Sequence, residues 1–457
     1  MRIVALADSD SYLKWGAALV SGMPPEWHRS VIVVDTPLVV SDGQLAAAMS
    51  GATIDSVARA GYRDLPRLLT EHPADAVLVA APGPIAMVLI RIVASLDPRP
   101  VIVSGLPGIS IPASMKALRF RRQADIMVVH SRREVGEFQH LADRRGTDQR
   151  IALASLPFLV QRPVAGTDLV FATQAIVPRV RGDRVRVAEA LRMAALADPS
   201  RRVVVKIRTS PGERQTHSEV DGIPELIAEL GPMPSNLVVS SGPMSEALDT
   251  AEGLVTVSST AIIEALERGI PVLALDDFGV GRRLINLAFV DSGLFGNSQD
   301  LIARDYRHPD PRWVADNYFH DAAENDWIPA LEHAIALRRA GRLAPRAAAV
   351  PHGGLLREAW ERKVALGDID TSLSGRFAWI VGRPLRFLVR RARRVRRRYR
   401  ARYAPTAPLT NLPEVPTQIR AISDGHPRLV DIATSLPGSA VTRVDLDASN
   451  STSDVRA

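Results

Sequence analysis

Short, uninterrupted apolar runs alternate with helix-like segments through about residue 340, and this alternation constrains the fold more than any other feature. A strand that is apolar at every position is typical of a sheet covered on both faces, because an exposed face would select alternating polar residues. Strands separated by helices predict a parallel sheet, since a parallel connection has to cross back over the sheet. The chain is therefore predicted to be α/β.

The apolar runs form two series. The first predicts strands at Ile3–Ala7, Val31–Val34, Ala76–Ala80, Val101–Ser104, Ile126–Val129 and Ile151–Leu153. The second predicts strands at Leu169–Ala172, Val203–Ile207, Leu237–Ser240, Leu254–Val257 and Val272–Leu275. Two tandem Rossmann-like domains are predicted, over residues 1–160 and 167–340, with a hinge at Gln161–Gly166. The carboxyl ends of the two sheets would face each other across a cleft, where ligands bind in such folds.

Helices are predicted between these strands at Ile54–Leu69, Ile85–Leu96, Arg132–Arg144, 184–197, 222–230, 243–250 and 260–268. Residues 313–340 are also predicted to be helical and to pack back across the cleft. Residues 341–375 are expected to form a helical linker. Residues 404–457 are rich in Pro, Ser, Thr and Asp, which predicts a disordered tail.

The net charge of +7 is concentrated in one segment. Residues 376–402 contain twelve arginines and no Asp, Glu or Lys, so subtracting these twelve charges leaves −5 for the rest of the chain. A mildly acidic body argues against nucleic-acid binding by the two predicted domains.

The chain contains no cysteine, which excludes disulfides, zinc–thiolate sites and a cysteine nucleophile, and fits a reducing compartment. The first apolar run stops at Asp8, too early for the core of a signal peptide. The longest apolar stretch, Ala76–Ile90, is broken by Pro82-Gly83-Pro84, whereas a membrane-spanning helix needs roughly 20 apolar residues. These features predict a cytoplasmic protein.

A strand, three hydroxyl residues and a helix follow one another directly in Leu254–Leu275. Ser258, Ser259 and Thr260 come where the strand ends, and Gly269 ends the helix. The first turn of a helix has N–H groups without intrahelical partners and a positive partial charge. At the carboxyl edge of a parallel sheet, such a turn is suited to a phosphate. The alternative is that Ser258 simply caps the helix.

Glu264 lies further along the same predicted helix. A capping box needs its acidic residue three positions after the cap, and Glu264 is too distant from the three hydroxyl residues for that role. Five residues of helix rise about 7.5 Å, close to the distance between a diphosphate and the ribose hydroxyls of a nucleotide. A carboxylate at that distance can accept hydrogen bonds from both hydroxyls. The alternative is that Glu264 is a solvated surface side chain.

The stretch resembles the C-terminal domain of GT-B glycosyltransferases, which has a serine-rich strand end, a helix carrying a glutamate, then Gly-x-Pro and a strand. Here these elements are Ser258–Thr260, Glu264, Gly269 and Pro271. Within this group, the stretch looks most like that of bacterial polysaccharide and capsule transferases. The resemblance implies a GT-B fold, a nucleotide-sugar donor in the second domain, an acceptor in the first, and no metal or separate cofactor. Epimerases acting on UDP-sugars share the fold and a similar motif, so the reaction does not follow from the fold alone.

Basic residues follow the second strand of the second domain. Lys206 and Arg208 lie on the same side of that strand because side chains alternate along it, and His217 follows in the loop. Similar transferases have basic residues in this region, so all three are predicted to bind the donor together with the Ser258–Glu264 stretch. The alternatives are a solvated strand end and an ordinary loop histidine.

The resemblance puts the catalytic base in the first domain, where Asp10 and Asp8 follow the first predicted strand. A carboxylate there can take the proton of an attacking sugar hydroxyl. Asp8-Ser9-Asp10 also matches the Asp-x-Asp metal motif of a different transferase fold, but the strand order favours the metal-independent one. His130, at the end of another strand, is a second candidate for the base. For each of these residues the alternative is an ordinary strand-end side chain.

The arginine-rich segment begins with apolar residues, among them Phe377, Trp379 and Ile380. Aromatic residues beside a basic cluster suit the interface of an anionic membrane, where each arginine contributes about 1 kcal/mol. Residues 376–403 are therefore predicted to lie on a membrane surface. A nucleic-acid arm and a simple solubilising tail are the alternatives.

Together these features predict a peripheral enzyme at the inner face of the plasma membrane. It would transfer a sugar from a nucleotide-sugar donor to a surface polysaccharide or a lipid-linked acceptor. The alternatives are a nucleotide-sugar epimerase of the same fold and a catalytically silent membrane-attached assembly protein. Neither a P-loop nor a Gly-x-Gly-x-x-Gly sequence after the first strand is present, which argues against ATPases and dehydrogenases.

Overall fold

The computed structural model describes residues 1–159, 161–207, 221–346 and 354–384, all within one compact unit that spans Met1–Phe387. Two parallel sheets form the frame of this unit, one from each predicted series of strands. The predicted α/β class with two Rossmann-like domains is confirmed. The predictions for Arg208, for His217, for most of the arginine-rich segment and for residues 404–457 lie outside the described residues.

The first domain is built on a seven-stranded parallel sheet. Its strands are β1 (Arg2–Ala7), β2 (His28–Asp35), β3 (Ser56–Gly61), β4 (Ala76–Ala80), β5 (Val101–Gly105), β6 (Ile126–Val129) and β7 (Arg150–Leu153). Its helices are α1 (Asp10–Ser21), α2 (Asp42–Met49), α3 (Leu65–Glu71), α4 (Gly83–Ala94), α5 (Met115–Arg121) and α6 (Arg132–Asp143). The strand order is β3-β2-β1-β4-β5-β6-β7, so the chain changes direction between β1 and β4. A crevice opens at the carboxyl ends of strands at such a switch point.

The second domain repeats this plan on a six-stranded parallel sheet. Its strands are β8 (Asp168–Ala172), β9 (Val203–Lys206), β10 (Leu237–Ser240), β11 (Ala251–Thr256), β12 (Val272–Leu275) and β13 (Phe295–Gly296). Its helices are α7 (Arg181–Ala197), α8 (Ile223–Glu229), α9 (Met244–Asp249), α10 (Ala261–Glu267) and α11 (Ser298–Ala303). The strand order is β10-β9-β8-β11-β12-β13, which puts the switch point between β8 and β11. The two-residue strand β13 has no run of residues from which it could be predicted.

The prediction of a helix over Ile54–Leu69 is wrong. Residues Ser56–Gly61 form β3, which pairs in parallel with β2, and only Leu65–Glu71 are helical. β3 lies at the edge of the sheet and its first four residues are exposed, so it lacks the continuous apolar run of the central strands. An edge strand is covered less than a central one, and the rule used to recognise buried strands does not apply to it.

Residues 313–340, predicted to be helical, form two helices with a gap between them: α12 (Pro311–Asp316) and α13 (Trp327–Arg339). A single 3-10 turn, Ala322–Glu324, lies in the gap. Trp327, Leu331 and Ile335 of α13 are buried in the core of the first domain. The chain therefore returns from the second domain to the first, as predicted.

The chain then crosses to the other face of the first sheet. Helix α14 (Gly354–Leu366) packs against α4, with Leu366 fully buried and Arg91 paired to Glu361 at 2.6 Å. Residues 373–384 form a further helix. Within the described part of the chain, no helix combines the length and the apolar character needed to cross a bilayer.

Candidate active site

The first domain touches the second beside the hydroxyl-rich turn after β11. A Cβ placed at Gly108, in the loop after β5, would lie 3.4 Å from Cγ2 of Thr260. Ile109 of the same loop packs against the apolar cluster that contains Ala261 and Ile262. The predicted Ser258–Thr260 segment therefore lies at the junction of the two domains, as a ligand site between them requires.

The turn from Ser258 to Ile263 satisfies most of its own amides. The amide and the hydroxyl of Ser258 donate to Oε1 of Gln174, at 2.9 and 3.1 Å. The hydroxyl of Ser259 accepts from the amide of Ala261 at 3.2 Å. Of the amides between Ser258 and Ile263, that of Thr260 alone has no hydrogen-bond partner among the residues that the structure describes. A phosphate at this turn would meet one free amide, and other contacts would have to come from side chains.

Gln174 is a residue that the sequence reasoning missed. It follows β8, which lies next to β11 in the sheet, and its amide oxygen reaches across to Ser258. Nothing in the local sequence distinguishes Gln174 from a loop residue, because its partner is 84 positions away. The contact holds the turn after β11 in place.

Glu264 lies on α10, one helical turn beyond Thr260, so both side chains share one face of the helix. It is half-buried, and burial raises the pKa of its carboxyl to about 7, although Arg268 nearby lowers it. Its carboxylate accepts no hydrogen bond from the part of the chain that the structure describes, whereas Arg268 is bound to Asp249 and to the carbonyl of Ser245. A half-buried carboxylate without a donor is costly in an isolated protein, and hydroxyl donors of a ligand would relieve this cost.

Lys206 is the last residue of β9 and is 4% exposed. Its ammonium donates to the carbonyls of Ile207 at 2.8 Å and Ser240 at 3.5 Å, and burial lowers its pKa. β8 lies between β9 and β11, so Lys206 is roughly 10 Å from the hydroxyl-rich turn across the sheet. Lys206 thus lies at the same edge of the sheet as Ser258 but is turned toward backbone carbonyls.

The two predicted carboxylates after β1 occupy different environments. Asp8 has no exposed surface, its Oδ1 accepts from the hydroxyl of Ser9 at 3.1 Å, and its Oδ2 has no partner within the described residues. Burial raises the pKa of Asp8 to about 7. Asp10, at the start of α1, is one-third exposed and paired to Lys14 at 3.0 Å. Asp8 thus has the proton affinity of a general base at neutral pH, whereas Asp10 has the solvent exposure that an acceptor hydroxyl would need to reach it.

His130 is held in the core of the first domain. Its Nε2 accepts from the indole N–H of Trp15 at 2.7 Å, so its proton is on Nδ1, which donates to the carbonyl of Ala154 at 2.8 Å. Burial lowers the pKa of His130 to about 4. Both ring nitrogens are occupied and the side chain is fully buried, so His130 does not fit the role of second candidate for the base.

A buried arginine at the same edge of the first sheet was also missed. Arg121, the last residue of α5, is 1% exposed and donates to the carbonyls of Gly105 and Ala81 and to the hydroxyl of Tyr12. These carbonyls lie at the ends of β5 and β4, and β4 is the neighbour of β1, which Asp8 follows. In the sequence Arg121 looks like a solvated helix residue, because its partners come from three separate segments. Among the described residues, no three His, Asp or Glu side chains converge as a metal ion would require.

The model of a family described as "Putative glycosyltransferase (DUF6716)" matches residues 3–334 of the chain. No curated protein matches it significantly.

Among solved structures, the S. aureus MnaA–UDP complex is 12% identical, with a TM-score of 0.49, and the match covers 75% of this chain and 97% of that one. Neisseria meningitidis UDP-GlcNAc 2-epimerase bound to UDP-GlcNAc is 11% identical, with a TM-score of 0.45 and coverages of 75% and 100%. The spinosyn rhamnosyltransferase SpnG is 14% identical, with a TM-score of 0.37 and coverages of 76% and 98%. At these identities no substrate and no reaction can be transferred to this chain.

Proposed function

The chain belongs to the DUF6716 glycosyltransferase family, and we propose that it transfers a sugar from a nucleotide-sugar donor to the hydroxyl of an acceptor. One observation carries the proposal beyond the family. The helix bearing Glu264, a half-buried carboxylate without a protein donor, begins where the loop of the first domain meets Thr260. A nucleotide bound there would lie between the carboxyl ends of both sheets, where an acceptor held by the first domain could reach it.

In the proposed complex, the donor lies along α10. Glu264 accepts hydrogen bonds from the two ribose hydroxyls, and the hydroxyls of Ser259 and Thr260, with the free amide of Thr260, contact the diphosphate. The remaining predicted donor ligands are Ser258, Lys206, Arg208 and His217. Ser258 is engaged by Gln174 in the structure, so its proposed role is to shape the turn as well as to contact the donor.

Asp8 is proposed as the general base. Its carboxylate takes the proton of the acceptor hydroxyl while the oxygen bonds to the anomeric carbon and the nucleotide leaves with the electrons of the broken bond. A pKa of about 7 supports this role, because such a group is partly ionised at neutral pH and binds the proton firmly. Asp8 is closed to solvent and its hydrogen-bonding neighbours, Ser9 and Thr36, belong to the first domain, so the proposal requires the loops of that domain to open when the acceptor enters. Asp10, which is more exposed, is the competing candidate.

The acceptor is proposed to be a growing surface polysaccharide or a lipid-linked glycan at the inner face of the plasma membrane. The arginine-rich segment from residue 376 to residue 402 supports this location through its expected attraction to anionic lipids. Independence from metal ions and other cofactors is proposed on the GT-B resemblance alone.

A thermal-shift screen with UDP-, CMP- and GDP-linked sugars tests the function. A ligand that binds only the folded state stabilises it by RT ln(1 + L/Kd), where L is its free concentration, and so raises the melting temperature increasingly as that concentration exceeds Kd. We expect at least one nucleotide-sugar to do so, and product analysis with that compound then separates transfer from epimerisation, since an epimerase needs no acceptor. If none of them raises the melting temperature, the enzyme proposal is wrong and a catalytically silent assembly role takes its place.

A further inference from the structure

The helix of residues 373–384 has its large apolar side chains on the outside. Leu373, Phe377 and Ile380 are 82%, 60% and 71% exposed, and their spacing of four and three residues puts them on one face. A surface helix of a soluble protein normally turns its apolar face to the core. This helix does the reverse.

The inner face of the helix is made of small residues that approach the protein closely. A Cβ at Gly375 would lie 2.4 Å from Oδ2 of Asp370, and one at Gly382 would lie 2.3 Å from the ring of Trp360. Ala378, between them, is 1% exposed. Only residues this small fit here, so the helix cannot roll to bury its large apolar side chains without losing these contacts.

Side chains beside this face strengthen the orientation. The ring of Trp379 stacks on that of Trp360, with centroids 5.2 Å apart and planes 21° from parallel. Asp370, against which Gly375 packs, is fully buried and accepts hydrogen bonds from Tyr62 and Arg362. The helix is thus anchored to the first domain, and its apolar face is held outward.

Charge identifies the partner of this face. Arg376 and Arg383 are exposed on the helix itself, and ten further arginines without any acidic residue follow in the sequence up to Arg402. An apolar helix face that carries two exposed arginines and is followed in the sequence by ten more is complementary to a lipid surface with anionic headgroups. A protein partner would need an acidic surface around an apolar centre, whereas an anionic bilayer has both features everywhere.

We propose that Leu373, Phe377 and Ile380 form a membrane-docking face, which enters the headgroup boundary of an anionic bilayer while Arg376 and Arg383 contact lipid phosphates. This deepens the proposed function by identifying the surface that would bring the enzyme to a lipid-linked acceptor. Docking is measured without any sugar donor, so its failure is distinguishable from a failure of the proposed transfer reaction.

Vesicle sedimentation of the full chain provides the first test. The variant Leu373→Ser/Phe377→Ser/Ile380→Ser keeps all arginines, and we expect it to bind phosphatidylcholine vesicles containing phosphatidylglycerol at least about tenfold more weakly than the unmodified chain. The matched control, Val39→Ser/Val180→Ser/Met193→Ser, removes three apolar residues that are 73%, 62% and 51% exposed elsewhere, and should bind normally. Unchanged binding by the first variant, or no binding by the unmodified chain, would overturn the proposal.

A fluorescent probe provides a second test that does not depend on weakened binding. Because the chain has no cysteine, Ile380→Cys can be labelled uniquely with a polarity-sensitive dye, and Val39→Cys serves as the control. Anionic vesicles should shift the emission of the dye to the blue at position 380 and leave it unchanged at position 39. A shift at 380 that instead rises with protein concentration in the absence of vesicles, together with a dimer in size-exclusion chromatography, would assign the face to a second copy of the chain.

Discussion

The phenol of Tyr318, a residue of the second-domain core, donates a 2.7 Å hydrogen bond to Oε1 of Glu134 in the first domain. The same carboxylate accepts hydrogen bonds from the backbone amides of Ser110, at 2.7 Å, and His130, at 2.8 Å. Tyr318 and Glu134 are both buried, and Ser110 belongs to the loop that touches Thr260. One carboxylate therefore links the second-domain core to the loop that borders the candidate donor site.

Removing the phenol should weaken this link. Tyr318→Phe leaves the buried carboxylate of Glu134 with one donor fewer, which is expected to lower the free energy of unfolding by about 1–3 kcal/mol in urea titrations. Tyr306→Phe is the matched control, because the Tyr306 hydroxyl is buried without a hydrogen-bond partner among the described residues, and its removal should be neutral or stabilising. Equal losses in the two variants would mean that the Tyr318–Glu134 bond contributes nothing specific.

The buried carboxyl of Asp8 should make stability depend on pH. Its pKa rises from 3.8 to about 7 on folding, so the folded protein binds more protons than the unfolded chain between these values. The stabilisation that this extra bound proton gives the folded state is complete below about pH 4 and is lost as the pH rises to about 7. Asp8→Asn has no carboxyl to ionise and avoids this loss. Between pH 5 and pH 8, its free energy of unfolding should therefore rise by on the order of 2–3 kcal/mol relative to that of the unmodified protein. Asp42→Asn, at a side chain that is 96% exposed, is the control for urea titrations at the two pH values.

Activity should depend on the same group. If Asp8 is the base, the rate falls below about pH 7 as the carboxyl becomes protonated, and Asp8→Asn lowers kcat by roughly 10²–10⁴ and removes this dependence. Steady-state rates measured from pH 5 to pH 9 for Asp8→Asn and Asp10→Asn decide between the two carboxylates. A full loss in Asp10→Asn with normal rates in Asp8→Asn would transfer the role to Asp10.

Donor affinity should depend on Glu264. Glu264→Gln weakens two charge-assisted hydrogen bonds to the ribose, and we expect about 10- to 100-fold weaker nucleotide binding in calorimetry. The melting temperature of the free protein should not fall and should rise at neutral pH, because the substitution removes a half-buried charge. Ser259→Ala should also weaken binding, by less. Because the pKa of Glu264 is about 7, nucleotide affinity should fall as the pH drops below that value, and the fall should be absent in Glu264→Gln. Glu267→Gln, on the same helix, is the control, and if it weakens binding as much, the effect belongs to helix stability.

The bounds of the central strands could be predicted almost to the residue, because the local sequence of each strand is sufficient to recognise it. Ala76–Ala80 and Ile126–Val129 are buried at every position, as parallel strands between two layers of helices must be, and a continuous apolar run reports this directly. The hydroxyl-rich turn before α10 was recognisable for a similar reason, since a strand, a short polar turn and a helix are contiguous in the chain. The edge strand β3 was missed because one covered face leaves no such run.

By itself the sequence determined the alternation of strands and helices, and hence the two parallel sheets, because burial on both faces is written into consecutive residues. Only the tertiary structure decided the chemistry of the polar groups. Asp8 has a raised pKa because other segments exclude water from it, Ser258 is engaged because Gln174 reaches it from the neighbouring strand end, and His130 is occupied by Trp15. Proton affinity and free hydrogen-bonding capacity depend on neighbours distant in sequence, and a local pattern contains no record of them.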